Sequence, residues 1–495
     1  MKKYKRSAVL ALAFLLASLS LCATPTEAKI KVGDSSYSTF KSKSINAKTS
    51  LKSGNKNKNS DDSYWKDSII NVKKTGTKLS ITAPKEYVNW DGVSNVAQFK
   101  DADGKYSYAY DGKGRITIVK SNGKTLVLKK THPLFGDVLM DTDGSYYVIT
   151  GEANTGSNTS KETIFVSRYD ANGNLIKTIG DNGSSSLADY YDDSFNTKTP
   201  FEGGNCDAAI SGGYLAVNYG RHMYNGHQSN SVWIIDLSSM QTIDAISQYD
   251  NIYNSHSFGQ RAVDFGDNGS FLFVSEGDCY NRAFTLSHLD IENNQHTDAD
   301  IFHFWVKKGT LDSYNMYILN DNFAHIGDIN DLRNGTASFV STSVHSLSKA
   351  AAKENEQLFI QIFDPQAVRT GTSSGYVTSS SRSGLSGPNG NETVSDYGIK
   401  WLTNYSDKTI IHPQAVTDGN GNTIILYELY DKTKGYKGVY SMTVNEKGDV
   451  IKKATRLASN AMLNPCRAPI YADGAVWWTG NRYGDSKHNV YVFKY

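Results

Sequence analysis

The chain has 495 residues, with 52 Lys and Arg against 50 Asp and Glu, a formal net charge of +2 and only four cysteines. The charge is unevenly distributed. The first 28 residues carry about +3 and residues 29–62 about +5, so the remainder is acidic by about −6. A mildly acidic body argues against nucleic acid as a partner, and the length allows a large core.

The N-terminus has the pattern of an export signal. Basic residues at Lys2–Arg6 precede an apolar run from Ser7 to Leu21, and Thr26-Glu27-Ala28 offers small residues at a cleavage site. The run is too short for a spanning helix, and no other long apolar run follows. We expect residues 1–28 to be removed and the mature chain to be secreted or associated with the cell surface.

Residues 29–62 are rich in Lys, Ser and Asn and too poor in apolar residues to offset their ordering entropy. The sequence predicts a disordered arm there and one folded domain at 63–495. The arm either lies against an anionic surface or is a solvated tether. Three cysteines remain after cleavage, Cys206, Cys279 and Cys466, without zinc-binding spacing. One disulfide and three buried thiols both fit this pattern.

The folded domain repeats one pattern seven times, a Gly-bearing turn followed by an apolar strand. These turns stand at 103–104, 143–144, 212–213, 268–269, 334–335, 420–421 and 473–474. A four-stranded antiparallel unit repeated seven times predicts an all-β fold, a seven-bladed β-propeller. The alternative is a pair of β-sandwiches, but no linker interrupts the repeat. Either Ser68–Val72 or Leu79–Ala83 is expected to complete the last blade.

In such a propeller, the loops that lead into the innermost strands and those that join second to third strands open on one face, here called the loop face. Histidines, arginines and amides concentrate in these loops. The first hypothesis is therefore a secreted propeller that binds a ligand, such as a glycan or another anionic surface polymer, on this face of the central channel. The predicted ligand-binding residues are Arg221, His222, His227, His256, Gln260, Arg261, Asp278 and Arg282. Alternatively, Asp278 and Arg282 pair only with each other.

A second hypothesis makes the protein an enzyme. Imidazole and amide groups from several blades could bind one divalent metal ion, with His256, His325, His412 and Gln414 as candidate ligands. Such a site would suit a metal-assisted lyase or hydrolase of an acidic polysaccharide. The D-x-[DN]-G turns lack the distal Glu of a calcium loop, so we interpret them as hairpin turns. A third hypothesis is a scaffold for protein contacts, and we expect a monomer.

Several blocks resemble a group of exported propeller-like proteins of Gram-positive bacteria to which no activity is assigned. These blocks are HPLFGDVLMDTDGSYYVITG, RHMYNGHQSN, SHSFGQ, EGDCYNRA and KWLTNY. The resemblance implies an all-β repeat fold and an extracellular setting. A channel lined by His and Gln is also similar in plan to propeller-type oligogalacturonate lyases, where His and Gln bind a metal, and to arylsulfotransferases, where a His is the nucleophile. Neither motif matches residue by residue, so both similarities concern the fold alone.

Overall fold

The computed structural model describes residues 70–71, 94–112, 114–184, 192–202, 204–243, 257–277, 283–303, 305–307, 316–318, 327–343, 355–379, 381–386, 393–483 and 488–495. The predicted signal peptide and basic arm lie outside these residues. No described residues form a helix long and apolar enough to cross a membrane.

The first strand is β1 (Ile70–Asn71), and three four-stranded blades follow it. Blade 1 contains β2 (Val96–Lys100), β3 (Tyr106–Gly112), β4 (Arg115–Val119) and β5 (Thr125–Lys129). Blade 2 contains β6 (Leu134–Met140), β7 (Tyr146–Gly151), β8 (Ile164–Tyr169) and β9 (Leu175–Asp181). Blade 3 contains β11 (Cys206–Ser211), β12 (Tyr214–Met223), β13 (Gln228–Asp236) and β14 (Gln241–Thr242), with an added strand β10 (Thr197–Pro200).

Blades 4 and 5 carry additional hairpins, and blade 6 has short turns. Blade 4 contains β15 (Ser257–Asp264), β16 (Ser270–Gly277), β17 (Ala283–Asp290) and β18 (Gln295–His303), followed by the hairpin β19 (Trp305–Lys307) and β20 (Met316–Ile318). Blade 5 contains β21 (Asp328–Asp331), β22 (Ala337–Ser343), β23 (Gln357–Phe363) and β26 (Lys400–Trp401), with the inserted hairpin β24 (Ser381–Ser386) and β25 (Thr393–Tyr397). Blade 6 contains β27 (Lys408–Thr417), β28 (Thr423–Asp431), β29 (Gly435–Val444) and β30 (Val450–Ala458).

Blade 7 joins the two ends of the chain. Its strands β31 (Ile470–Ala472), β32 (Ala475–Asn481) and β33 (His488–Lys494) are completed by β1, which runs antiparallel to β33 with Ile70 opposite Val490. Seven four-stranded antiparallel sheets therefore form a ring, which confirms the predicted seven-bladed β-propeller. The closing strand comes from the first of the two predicted segments, Ser68–Val72.

The face opposite the loop face, here called the turn face, is built from tight hairpins. Gly144 and Gly474 have φ values of 83° and 69°, a region that L side chains rarely adopt. In the first of the D-x-[DN]-G turns, Asp101 Oδ1 accepts hydrogen bonds from the backbone N–H groups of Asp103 (3.1 Å) and Lys105 (2.9 Å). That carboxylate therefore holds its own turn, as we expected of a hairpin.

The core lies between neighbouring blades. Tyr147, Val217 and Trp233 belong to one apolar cluster that joins blades 2 and 3, and all three are at most 1% exposed. Their alternation along the strands follows from the period of two, which sends every second side chain to the same neighbour. Burying one such side chain stabilises the fold by about 1.5–3 kcal/mol. Trp233→Ala would remove the largest of the three, at about 3–5 kcal/mol.

Blade 3 is extended by an added strand at the loop-face end of β12. Strand β12 is ten residues long, and its far half pairs with β10, where Thr199 lies opposite His222 and Pro200 opposite Arg221. A 3₁₀ turn at Asp193–Phe195 leads into β10, and Asp192 caps it by accepting from Ser194 N–H at 2.8 Å. We call this extended end of β10, β12 and β13 the blade 3 rim.

Candidate functional site

The central channel carries one polar side chain from each blade, at the innermost strand or the segment just before it. We call this set the channel belt: Gln98, Asp137, Asp207, Arg261, Asp328, Gln414 and Arg467. Asp137, Arg261, Asp328, Gln414 and Arg467 are at most 5% exposed. Buried charges persist in a fold only where they are paired and hydrogen-bonded.

Arg467 of blade 7 bonds to three other blades. Its guanidinium donates to the backbone carbonyl oxygens of Val96 (2.7 Å), Gly136 (2.6 Å) and Cys206 (2.9 Å), which lie in blades 1, 2 and 3. It also pairs with Asp137 Oδ2 at 3.1 Å. One side chain therefore ties the last blade to the first three.

Arg261 makes the matching connection from blade 4. It pairs with Asp328 of blade 5 at 2.6 Å and donates to the Pro465 carbonyl, on the way into blade 7, at 2.7 Å. The second carboxylate oxygen of Asp328 accepts from Ala415 N–H of blade 6 at 2.9 Å. The belt thus joins the inner strands around the ring.

Burial and the Asp137–Asp207 pair control the charge of the belt. Burial, assisted by Asp207, raises the pKa of Asp137 to about 7 despite the opposing effect of Arg467. Burial likewise raises the pKa of Asp207, against the effect of Arg261 and Arg467. Since three carboxylates face two guanidinium groups, the belt would carry one net negative charge if fully ionised. Protonation of Asp137, which its raised pKa favours, would cancel this charge.

The predicted ligand-binding residue Arg221 lies inside blade 3, fully buried. Its guanidinium donates to Ser229 Oγ (2.9 Å), the Gly183 carbonyl (3.1 Å) and Thr197 Oγ1 (3.3 Å). Arg221 therefore fixes β10 and the residues before it to β12 and supports the rim from below.

His222 and His227 lie on the blade 3 rim. His222 Nδ1 is 3.9 Å from Glu202 Oε2, and these side chains are 26% and 49% exposed. His227 is partly exposed at the turn between β12 and β13, where its N–H donates to Asn225 Oδ1 at 3.0 Å. The rim thus presents imidazole and carboxylate groups to solvent.

Gln260 and Arg261 are instead buried in the ring. The Gln260 backbone N–H and C=O bond to the Asn205 side chain at 2.6 and 2.8 Å, which joins blades 3 and 4. Arg261 belongs to the channel belt. The structure therefore places both His222 and His227 on the rim. It places Gln260 and Arg261 below the loop face. His256, Asp278 and Arg282 lie outside the described residues.

Among the candidate metal ligands, His412 and Gln414 have separate partners. His412, with φ of 49°, places Nδ1 3.1 Å from Glu428 Oε1, and both side chains are buried. Gln414 donates to the carbonyl oxygens of Asn464 and, at 3.0 Å, Arg467. His325 lies outside the described residues, as does His256. The part of the chain that the structure describes contains no group of three or more His, Cys, Asp or Glu side chains that could hold a metal ion.

A buried histidine outside the predicted site links blade 4 to the inserted hairpin of blade 5. His303 Nδ1 is 2.7 Å from Asp396 Oδ1 and Nε2 is 3.6 Å from Asp300 Oδ2. Burial alone would lower the pKa of His303, but Asp396 and Asp300 outweigh it and raise that pKa to about 9. The protonated imidazole therefore holds β25 against β18.

Two of the three expected thiols lie near the belt. Cys206 and Cys466 are buried and free, and Cys279 lies outside the described residues. Burial, assisted by Asp137, raises the pKa of Cys206 well above its usual value. Burial also raises the pKa of Cys466, so both thiols are protonated at neutral pH and poorly reactive.

No family model matches the chain, and no curated protein matches it. Similar solved structures include a polysaccharide lyase, an ulvan lyase bound to -[GlcA(1-4)Rha3S]-, with 9% identity, 82% of this chain and 94% of that chain covered, and a TM-score of 0.43. An endo-arabinase from Bacteroides thetaiotaomicron has 12% identity, 72% and 92% coverage and a TM-score of 0.29. The propeller domain of the Trilobed protease from Pyrococcus furiosus has 11% identity, 73% and 92% coverage and a TM-score of 0.30. The fold assignment rests on the seven sheets themselves, because such low similarities assign no ligand.

Proposed function

We propose that the protein is a secreted or cell-surface propeller that binds a glycan or another anionic polymer on its loop face, over blades 3 and 4. The observation that carries this proposal is the blade 3 rim. It extends blade 3 on the loop face and exposes His222, His227 and Glu202, while Arg221 is fully buried within the blade. A rigid support under exposed polar groups is the arrangement that a binding site needs.

The chemistry of the rim suits a polyhydroxylated or carboxylated polymer. Imidazole nitrogens donate or accept hydrogen bonds, and the Glu202 carboxylate accepts them from sugar hydroxyls. Protonated His222 and His227 would also attract a carboxylate or sulfate group. We expect His256, Asp278 and Arg282 to complete the site from blade 4, and Arg282 to supply a permanent positive charge.

The channel belt supports a ligand on the face rather than one passing through the ring. Arg467 and Arg261 bond across the channel to several blades, so a polymer inside it would have to break buried ion pairs. A polymer lying over blades 3 and 4 would leave those ion pairs intact.

The test is affinity electrophoresis of the mature, tag-free chain in gels that contain polygalacturonate or a neutral galactan. We expect retardation by the acidic polymer, and its loss in the His222→Ala, His256→Ala double variant. Lys124→Ala, on an exposed hairpin of the turn face, is the matched surface control and should migrate like the parent. Parental retardation of a folded double variant would contradict the placement of the site.

The same protein preparation tests the alternative, a metal-assisted lyase or hydrolase of an acidic polysaccharide. His412 beside Glu428 keeps that hypothesis open, because a carboxylate next to an imidazole orients metal ligands in many sites. Elemental analysis should then find a stoichiometric divalent metal that is lost on His256→Ala or His412→Ala. Release of unsaturated or reducing sugars from polygalacturonate would make the enzyme the better assignment.

A further inference from the structure

Lys198 differs from the other cations of blades 2 and 3. Residues 134–243 contain five lysine and arginine residues, and four of them are ion-paired or hydrogen-bonded: Lys161, Arg168, Lys177 and Arg221. The fifth, Lys198, is partly exposed, and its ammonium group bonds to none of the residues that the structure describes. Its negative partner is therefore supplied by ions in solution or by a ligand.

Lys198 lies at a β-bulge of the added strand β10. Thr199 pairs with His222, and the register shifts by one residue just before it, so Lys198 and Thr199 both oppose His222. The neighbouring blade fixes this bulge, because the Lys198 carbonyl accepts a hydrogen bond from the Asn154 N–H at 2.8 Å. The backbone thus holds Lys198 beside His222 on the blade 3 rim.

Lys198 ends a row of polar side chains that crosses the rim. Thr199 is paired with His222, and His222 is paired with Gln228 of β13. Residues directly opposite each other in antiparallel strands share a face of the sheet. Neighbouring strands are about 4.8 Å apart, so the row spans about 10 Å. It offers an ammonium, a hydroxyl, an imidazole and an amide group, all partly exposed.

This row lies on the side of the rim that faces blade 4. Ala216 of β12 packs in one cluster with Phe271 of blade 4, whereas Val217 packs in the cluster shared with blade 2. Because side chains alternate along a strand, His222 shares the face of Ala216. The row therefore belongs to the part of the loop face, over blades 3 and 4, where we place the ligand.

The carboxylates of the rim have other partners. Asp192 caps the 3₁₀ turn, and Asp193 Oδ2 accepts a hydrogen bond from Thr159 Oγ1 at 3.4 Å. Glu202 lies 3.9 Å from the imidazole of His222. None of the three is bonded to the free ammonium group. Their negative charges would also direct an acidic group of a ligand away from themselves and toward that ammonium.

We propose that Lys198 selects an acidic polysaccharide for the loop-face site. Its ammonium pairs with a carboxylate or sulfate group, while Thr199, His222 and Gln228 bond the hydroxyls of the same ligand. This inference rests on the proposed function and adds the ligand class to it. A hydrogen bond between an ammonium and an anionic oxygen is stronger than one to a neutral hydroxyl, which is the physical basis of the selection.

The experiment is affinity electrophoresis of the mature chain with two matched pairs of polymers. One pair is polygalacturonate and its methyl ester, and the other is dextran sulfate and dextran, so that the members of each pair differ in their charge. We expect at least one acidic polymer to retard the parent and its neutral counterpart to leave it unretarded. Added salt should weaken the retardation, because it screens an exposed ion pair.

Lys198→Met removes the ammonium and keeps the apolar stem. Because that ammonium bonds to no described residue, we expect a native circular dichroism spectrum and an apparent Kd for the acidic polymer that rises about tenfold. Lys198→Arg keeps the charge and should restore most of the affinity. Lys161→Met is the matched control, since Lys161 is also a partly exposed lysine of the loop face but already pairs with Glu152, and it should bind like the parent.

Three results would overturn the proposal. Equal affinity of the parent and a folded Lys198→Met variant for the acidic polymer would show that Lys198 does not select the ligand, and would leave the loop-face site in place. Equal retardation of the parent by an acidic polymer and its neutral counterpart would exclude selection by charge. Retardation by none of the four polymers would refute the loop-face site itself, and the role of Lys198 with it.

Discussion

Replacing Arg467 with Met tests the claim that the channel belt holds the ring closed. The substitution keeps much of the length and apolar stem of the side chain but removes the guanidinium. Three carbonyl oxygens, in blades 1, 2 and 3, would lose a donor, and buried Asp137 would lose its cation. A buried carbonyl left without its donor costs about 1–3 kcal/mol. Three such losses predict that the free energy of unfolding falls by about 3 kcal/mol or more, while Asp137, whose pKa is already raised, can take up a proton in place of its cation.

The assay is urea-induced unfolding at neutral pH, followed by the fluorescence of the seven tryptophans. The matched control is Arg115→Met at an exposed position at the start of β4, which should change the free energy of unfolding by less than about 0.5 kcal/mol. If Arg467→Met lost less than about 1 kcal/mol, the belt would not be the closing element, and ring closure would have to rest on β1 and the apolar seams.

Further predictions concern charge, closure and redox state. Because the pKa of Asp137 is raised, the folded chain retains a proton that the unfolded chain releases between about pH 4 and pH 7. The free energy of unfolding should therefore fall as the pH rises over that range. Asp137→Asn should flatten this pH dependence in urea titrations. Because the pKa of His303 is raised, its ion pairs contribute to folding stability fully below about pH 6.5, and this contribution is lost as the pH rises through about 9. His303→Gln should abolish this pH-dependent loss of stability in thermal melts. Deleting residues up to Asn71 removes the outer strand of blade 7, so the thermal midpoint should fall while circular dichroism stays native, because the belt remains. A reducing agent should leave the melting curve unchanged, since Cys206 and Cys466 are free; a lowered midpoint would point to a disulfide.

The sequence predicts the architecture well because the signal repeats. In the sequence, each blade is marked by a Gly-bearing turn between its first two strands. That turn requires the positive φ seen at Gly144 and Gly474. The sequence did not decide which of two segments completes blade 7, because a strand of two residues, Ile70–Asn71, has no periodicity of its own. It is specified by the free edge of β33, which exists only in the folded ring.

The candidate site was harder to predict because a residue's role depends on strand register. Arg221 and His222 are neighbours in sequence, yet one is fully buried and the other partly exposed, because adjacent residues in β12 point to opposite sides. The arginine was therefore the natural ligand-binding candidate on composition alone. Only the pairing of β10 with β12 shows that its partners lie within blade 3.

The roles of the belt residues Asp137, Asp207 and Asp328 were also hard to predict from the sequence, for the same reason of strand register. Asp137 and Asp207 are each the single carboxylate of an inner strand, whereas β21 carries both Asp328 and Asp331. Each of the three belt carboxylates is 54 or more residues from the arginine that faces it or follows it around the ring. A sequence signal does exist, a polar residue in or just before the inner strand of each repeat, but β15, β21 and β27 carry further polar residues beside it. Aligning it requires the register of every inner strand, and the bulges in β6, β15 and β27 shift that register. Because β1 contributes only two residues to closure, the belt is also where a substitution should most directly open the ring. The polar residues of the channel are therefore better explained by the need to close seven blades than by passage of a ligand through it, and a ligand is to be sought on the loop face.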